Sequence, residues 1–252
     1  MMRSTERFST RADSYARHRP SYPESAIALL AARCGLRPAA VVADLGSGTG
    51  ILTELLLKRG AEVFAVEPNG PMRAAAEEQL QGYPRFRSIA ASAEDTTLAP
   101  ESVDLLVAGQ AFHWFDPARA RAEAQRILRR GAWAALLWNE RPLDATPFLA
   151  DYEALLKRHS SEYERITASR ADAATMRLYL GPTMELATFP NEQRLDFEGL
   201  EGRLMSSSYA PEPGSAEHQP MIARLREVFD RHAQHGRITL PYRTLVYFAQ
   251  SR

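Results

Sequence analysis

A single cysteine, Cys34, is all the thiol chemistry in this 252-residue chain, so no internal disulfide framework can be built. That fits a reducing compartment, and Cys34, beside Gly35 at an expected helix end, reads as a semi-buried structural thiol. The chain also lacks an excess of either charge: 31 Lys and Arg against 31 Asp and Glu leave a formal net charge of zero. No global field is therefore available to hold nucleic acid or an anionic membrane surface. No apolar run approaches the roughly 18 residues of a spanning helix, and neither an internal repeat nor a low-complexity tract is evident. What remains, 45% hydrophobic and 25% charged residues, is the composition of an ordinary globular protein. The expected partner is a small molecule, the expected location cytoplasmic, and the expected assembly a monomer or homodimer. Arg3, Arg7, Arg11, Arg17 and Arg19 give the first twenty residues part of a transit-peptide composition. Glu6 and Asp13 interrupt it, and the spaced aromatics Phe8, Tyr15 and Tyr22 favour a segment that stays with the folded protein.

Glycine is sparse as well, 14 residues in all, yet three of them fall within five positions, in Val-Val-Ala-Asp-Leu-Gly-Ser-Gly-Thr-Gly from Val41 to Gly50. Val41 and Val42 suit a buried parallel strand. Gly46, Gly48 and Gly50 let the backbone turn sharply and approach a ligand, because glycine tolerates positive φ and has no Cβ. The following Ile51 to Lys58 is a helix former whose N-terminal amides attract an anionic group. A dinucleotide loop needs G-x-G-x-x-G, and Ile51 stands where its third glycine would be. The acid followed by G-x-G-x-G instead resembles the first motif of the class I S-adenosylmethionine (SAM) methyltransferases. A plain strand-to-helix turn is the bland alternative.

Beyond the loop, strands and helices alternate. Glu62 to Val66 reads as strand two, Met72 to Leu80 as a helix, Phe86 to Ala90 as strand three and Val103 to Ala108 as strand four. Asp116 and Pro117 supply a cap and a first-turn proline for a helix through Arg130, and Trp133 to Trp138 reads as strand five. Only a turn or two of helix fits between strands three and four. After Asn139, Leu143 to Leu180 has helical spacing without a strand. Its arginines Arg158, Arg165, Arg170 and Arg177 either recognise an acidic substrate or form a solvated face. A strand around Met184 to Thr188 or Gln193 to Phe197 follows, then a helix into Met205, a loop Pro211 to Gly214, a helix Glu217 to Ala233 and a last strand Tyr242 to Ala249. Alternation implies parallel pairing with right-handed crossovers. The expected fold is α/β, a Rossmann-like seven-stranded, mostly parallel sheet with an antiparallel edge strand and helices on both faces. One domain is expected over 1–252, with an N-terminal cover segment at 1–24 and a helical cap insertion at 141–182.

Ligands of such sheets lie outside the carboxyl ends of the strands, which names the candidates. Asp44 ends strand one, where it can accept a hydrogen bond from the loop or from an ammonium group. Glu67 ends strand two about twenty residues later, where a carboxylate can take both hydroxyls of a ribose. Met72 lies either on an adenine face or in the core. Ser92-Ala93-Glu94-Asp95 is polar where an adenine edge would fall, so the Ala93 or Glu94 N–H and the Glu94 carboxylate are candidate readers. Strand four ends in the unusual cluster Gly109-Gln110-Ala111-Phe112-His113-Trp114-Phe115. His232 and His235 could suggest a metal, but no third ligand is evident, and none is expected.

Together these stretches resemble the type 11 class I SAM methyltransferases, a group that includes trans-aconitate and ubiquinone/menaquinone methyltransferases. Asp44 to Gly50 is the strongest match and Glu67-Pro68-Asn69 with Met72 is good. Gln110 to Phe115 is specific to one branch, as is the cover segment from Phe8-Ser9 through Tyr15, Arg19-Pro20 and Tyr22-Pro23. Ile127 to Ala132 resembles a proline- and glycine-containing segment, with Arg130 and Ala132 as departures. Ser92 stands where many relatives place an aspartate.

The resemblance implies methyl transfer from SAM to an O or C nucleophile of a small-molecule, possibly carboxylate, acceptor. It implies cofactor binding by Asp44, Gly46, Ser47, Gly48, Gly50, Glu67, Pro68, Met72, Ala93, Glu94, Gln110 and Ala111. Arg19, Tyr22, Phe112 and Trp114 would bind substrate, and His113 and Tyr15 would be catalytic, with packing or hydrogen bonding the bland role for His113. The sequence lacks the proline-proline-aromatic run of base-modifying amino methyltransferases and a cysteine nucleophile near strand four. An NAD-dependent oxidoreductase and a non-catalytic SAM-binding protein remain the alternatives.

Overall fold

The computed structural model describes residues 12–143, 145–160, 162–164 and 173–251. Arg3, Arg7, Phe8, Ser9, Arg11, Arg165 and Arg170 lie outside them. The strands β1 (Val41–Leu45), β2 (Glu62–Val66), β3 (Phe86–Ile89), β4 (Val103–Gly109), β5 (Leu128–Glu140), β6 (Glu185–Leu195) and β7 (Ile238–Gln250) form one sheet in the order β3-β2-β1-β4-β5-β7-β6. The first five pair in parallel. β7 runs antiparallel to both β5 and β6, so the antiparallel pairing expected at this end is present with β7 one place in from the edge. Strand order reverses between β1 and β4, whose carboxyl ends flank the crevice where ligands of open sheets bind.

Successive strand residues face opposite sides, and each side has its own helical cover. Val42 and Leu105 pack with Ile27 and Leu30 of α2 (Glu24–Arg33) and Leu56 of α3 (Ile51–Lys58). Ala43 and Leu106 pack with Ala120 and Ile127 of α5 (Pro117–Ile127). Burial on both faces explains why these strands are continuously apolar rather than alternating. Cys34 is fully buried beneath α2, where burial pushes its thiol up to about 12, as suits a structural residue. Between β3 and β4 there is no helix among the described residues. Helices α1 (Ala12–His18) and α4 (Gly70–Leu80) pack against one another.

Several boundaries differ from the sequence expectation. The helix expected to reach Arg130 ends at Ile127, because Leu128 is extended and already pairs with Val103. The register then skips, with Gly131 at φ +74°, before Leu105 meets Trp133. β6 is one strand across Pro190 rather than either of two fragments, and β7 begins at Ile238, before Pro241. Both prolines are tolerated for the same reason: β6 is an edge, and β7 at Pro241 has passed the end of its pairing with β5.

The helical segment expected as one cap divides in two. α6 (Pro147–His159) packs with α8 (Phe197–Met205) and α9 (His218–His232) through Tyr152, Leu156, Leu200, Leu204, Leu225 and Phe229. α7 (Ala173–Leu180) instead lies on the sheet, with Met176 and Tyr179 in the α5-side core.

Candidate active site

Each glycine of the loop is left-handed, with φ of +65° at Gly46, +58° at Gly48 and +86° at Gly50, a region that L side chains rarely adopt. Gly46 and Ser47 donate their N–H groups to Val66 O at 2.9 and 3.2 Å, which ties the loop to the end of β2. Glu67 completes the tie. Its Oε2 accepts from the Gly48 N–H at 2.9 Å and its Oε1 from the Asn69 N–H at 2.8 Å, while Asn69 Oδ1 caps α4 by accepting from Met72 N–H. Gly46 and Gly48 line a cavity of about 300 Å³. Gly50 does not: a Cβ there would lie 2.7 Å from Leu80 Cδ1, so its role is packing against α4.

The cavity has a recess of about 40 Å³, bounded by Asp44, Ser47, Thr49 and Tyr22 and sharing Tyr15, Arg19, Gly48 and Gln110 with the main chamber. Asp44 is buried, with Oδ2 accepting from Thr53 Oγ1 at 2.6 Å. Burial pushes its carboxyl up to about 7; the Thr53 hydrogen bond opposes this and the Glu67 charge adds to it. Asp44 Oδ1, Ser47 Oγ and Thr49 Oγ1 have no hydrogen-bond partner among the described residues. Buried polar atoms are rarely left so. A recess with an open carboxylate oxygen, open hydroxyls and a glycine-lined floor fits the ammonium and carboxylate of an amino-acid moiety.

At the other end the wall is Glu67, Pro68, Met72, Ser92, Ala93 and Glu94. Burial raises the Glu67 carboxyl, against the Asn69 and Gly48 amides that stabilise its charged form. Each Glu67 oxygen spends one lone pair on the backbone, leaving capacity for a diol. Glu94 is more committed than the sequence implied. Its N–H donates to Ser92 Oγ at 3.3 Å and its Oε1 accepts from Asp116 N–H at 2.8 Å.

The cluster after β4 separates into wall and core. Gln110 sits at φ +57°, its N–H bonded to Leu137 O and its Nε2 to Asn139 O. Gln110, Ala111, His113, Trp114 and Phe115 line the cavity. Phe112 does not line it. It is 1% exposed, its ring 4.7 Å from Tyr179, 5.8 Å from Phe115 and 6.4 Å from Trp138. The short 3₁₀ turn Phe112–Trp114 points its first side chain into the sheet core, so Phe112 supports the wall instead of touching a substrate. Tyr22 lines the recess, with its hydroxyl where a Gly109 Cβ would be, 2.4 Å away; Gly109 is thus a site glycine that sequence spacing did not single out.

Opposite the loop, the chamber is closed by residues the sequence reading largely missed: Trp138, Asn139, Arg141, Arg203, Ser208 and Tyr209, together with the expected Tyr15 and Arg19. Arg19 is stacked on Tyr15, 4.6 Å from the ring centroid, and donates to Ser206 O at 2.8 Å. Arg203 donates from Nε to Tyr242 Oη and from Nη1 to Ser207 Oγ, at 3.0 and 3.1 Å. Arg141 donates to Tyr163 Oη at 3.0 Å and Tyr209 Oη at 3.4 Å. Burial and the neighbouring Arg203 charge lower the Arg19 guanidinium, whereas facing phenols outweigh burial and raise Arg141 and Arg203. Of the arginines named in the insertion, Arg158 is exposed, and Arg177 is exposed and donates to Pro182 O, while Arg141, the first residue of that insertion, lines the cavity. The usable signal was position, since Arg141 directly follows the carboxyl end of β5.

The chain before α2 is pinned over this chamber. Asn139 Nδ2 and Asn191 Nδ2 both donate to Ser21 O, at 3.2 and 2.8 Å, and Gln193 Nε2 donates to His18 O at 3.0 Å. No group of three or more potential metal ligands occurs among the described residues, where His232 pairs with Asp151 instead. No described helix is long and apolar enough to cross a membrane.

Residues 43–136 match the family described as "Methyltransferase domain", a stretch that holds the glycine loop, Glu67 and the cluster after β4. An uncharacterized methyltransferase of Mycobacterium tuberculosis is 41% identical over 134 residues, covering 53% of this chain and 52% of the relative. The match thus spans about half the length of that relative. A methyltransferase-like protein of Schizosaccharomyces pombe is 26% identical over 250 residues, 96% of this chain and 94% of its own. In fold, the chain is similar to phosphoethanolamine N-methyltransferase 2 of Haemonchus contortus, solved with phosphomonomethylethanolamine and S-adenosylhomocysteine. The TM-score is 0.60 at 11% identity, over 98% of this chain and 58% of that one. In strand order, in its acid-and-glycine loop and over the matched residues 43–136, the chain is similar to the methyltransferase domain of that family.

Proposed function

We propose that this protein transfers a methyl group from SAM to an O or C nucleophile of a small carboxylate acceptor. The observation that carries the acceptor class is the convergence of Arg19, Arg141 and Arg203 on the same cavity as the glycine loop. Guanidinium forks suit carboxylates, and hydrogen bonds to charged groups contribute about 1.5 to 3 kcal/mol each. When bound, SAM supplies an electrophilic methyl group on a sulfonium whose leaving group is a neutral thioether. Asp44 and Ser47 would hold its amino-acid end, Gly46 and Gly48 admit it, and Glu67 would take the ribose hydroxyls. Pro68, Met72, Ala93 and Glu94 would flank the adenine, and Gln110 and Ala111 close the floor.

The residues contribute mostly position. Holding donor and acceptor in line is worth up to about 7 to 11 kcal/mol in favourable intramolecular cases. The Tyr15 and Trp114 rings can stabilise a sulfonium by about 0.5 to 2 kcal/mol and exclude water. Tyr22, in the recess wall, belongs to the same aromatic lining. A carboxylate nucleophile needs no base. Where the reacting atom carries a proton, His113 on the cavity wall is a candidate acceptor, since imidazoles exchange protons near neutral pH. The segment at 15–22 acts as a cover over the chamber, and helices α6, α8 and α9 as its outer cap.

S-adenosylhomocysteine release from labelled SAM, measured across aliphatic acids, hydroxybenzoates, quinols and amines, tests the reading. Turnover confined to acids supports it. Turnover of neutral quinols or amines alone overturns the acceptor class, and tight SAM binding without transfer to any of them favours a non-catalytic SAM-binding protein.

A further inference from the structure

The acceptor end of the cavity is short of negative charge. Three guanidiniums face it, and among the described residues their direct partners are the neutral Ser206 carbonyl, Ser207 hydroxyl and the phenols of Tyr242, Tyr163 and Tyr209. Among the described residues the one carboxylate paired with any of them is Glu153, a long 3.9 Å from Arg141 Nη2, and the same Oε2 accepts from Tyr163 Oη at 2.5 Å. Buried charges are expensive unless paired, so the chamber draws a counter-charge from whichever group can supply one.

Tyr209 is the group placed to do so. It lines the cavity, its Oη accepts from Arg141 Nη1 at 3.4 Å, and Arg203 and Arg19 face it from α8 and from the covering segment. Burial alone would push its phenol up. Arg141, Arg203, a hydrogen bond from Ser207 and Arg19 outweigh burial and draw it down to about 7. Two neighbouring phenols move the opposite way: burial raises Tyr152, and raises Tyr163 to about 12 beside Glu153. Arg141 thus touches one phenol that is committed to Glu153 and one, Tyr209, that faces the cavity.

We propose that Tyr209 is the general base of the acceptor site, a phenolate held by Arg141 that removes the proton from the acceptor's reacting atom. This rests on the methyl-transfer reading and narrows it: the acceptor's carboxylate is a handle in the arginine chamber, and a second, protonated O–H or C–H is the atom methylated. The proton passes to the Tyr209 oxygen. The electron pair released on the acceptor forms the new bond to the methyl carbon, and the carbon–sulfur bond breaks with its electrons on sulfur. Tyr209 then returns its proton to solvent. The handle also tunes the base, because an incoming carboxylate shares the guanidinium charge and makes the phenolate more basic as the acceptor arrives.

Ultraviolet titration of the full chain, without donor or acceptor, tests the phenolate directly. Of the nine tyrosines, one is expected to ionise near neutral pH rather than near the ordinary value of about 10. Tyr209→Phe should remove that transition while keeping the ring beside Tyr163, and Arg141→Met should move it alkaline should the first variant fail to fold. Acetate, as a probe of the handle site, should shift it to higher pH. No tyrosine ionising below about pH 9, a transition that survives in Tyr209→Phe, or indifference to acetate overturns the proposal. With a hydroxybenzoate or other acid that turns over, Tyr209→Phe should lower kcat about a hundredfold or more and abolish the acid limb of the pH profile, at unchanged SAM affinity. If His113→Gln abolishes that limb and Tyr209→Phe does not, the base is His113 and the proposal falls. Absence of transfer to every acid refutes the methyl-transfer reading, and the titration then still decides the state of Tyr209.

Discussion

Asp44→Asn should separate the cost of the site from its use. Asp44 is 1% exposed, and burial lifts its carboxyl from 3.8 to about 7. That is a rise of about 3 pH units, or about 4 kcal/mol against the ionised form at 1.36 kcal/mol per unit. A carboxyl whose folded value lies above its unfolded one supports the fold fully below the unfolded value. That support is lost as pH rises from about 4 through about 7. Relative to Asp44→Asn, the ligand-free wild type should therefore lose up to about 4 kcal/mol of stability across that window and nothing further above it. The asparagine can still accept the Thr53 hydroxyl, and any fixed cost of its unpaired amide is independent of pH. Urea unfolding of both proteins at a series of pH values isolates the difference. SAM should reverse the order, because an ammonium beside Asp44 favours the carboxylate. Affinity of the wild type is then expected to fall up to tenfold per pH unit below about 7, and to be weak and pH-flat in Asp44→Asn. A wild-type-minus-variant stability difference that is constant from acid to neutral pH would refute the argument.

Four further perturbations probe separate parts of the site. Glu67→Ala should weaken SAM binding by about 1 to 3 kcal/mol, through the lost diol contact and the released Gly48 and Asn69 amides; calorimetry showing an unchanged dissociation constant would count against both roles. Gly48→Val, at φ +58° and with its Cβ 3.3 Å from Met72 Cε, should abolish SAM binding in a protein whose circular dichroism still shows the fold. Gly50→Ala meets Leu80 instead of a ligand and should cost about 1 to 3 kcal/mol of stability with little change in SAM affinity; loss of affinity without loss of stability would return Gly50 to the cofactor wall. Arg141→Met should raise the acceptor KM about tenfold or more at constant SAM affinity, as expected for loss of a charge-assisted contact of about 1.5 to 3 kcal/mol, and an unaltered KM would remove Arg141 from the acceptor site.

Local chemistry made the cofactor half of the site legible. Asp44, Gly46 and Gly48 lie within five residues, so their spacing in the chain is nearly their spacing in space, and the parallel pairing of β1 with β2 brings Glu67 beside them. The strands of the parallel half were readable from local sequence too, since burial on both faces leaves a continuous apolar run at Leu105 to Ala108. Gly50 and Phe112 belong to the same motifs but turn into the packing, and no spacing rule distinguishes a glycine facing Leu80 from one facing a ligand. The acceptor half was the least legible. Arg19, Arg141 and the pair Arg203 and Tyr209 come from three distant segments that meet on one cavity, with β7 folded back between β5 and β6. β6 escaped because Pro190 ordinarily breaks a strand, and nothing local reveals that it lies on an edge.

A crystal of the protein grown with S-adenosylhomocysteine tests the central claim, that the acid-flanked glycine loop receives an activated-methionine cofactor. The account predicts an amino-acid moiety in the recess at Asp44 and Ser47, ribose hydroxyls on Glu67 and the adenine beside Met72. Density for that ligand elsewhere, or a cavity that takes up NADH while rejecting S-adenosylhomocysteine, would contradict it.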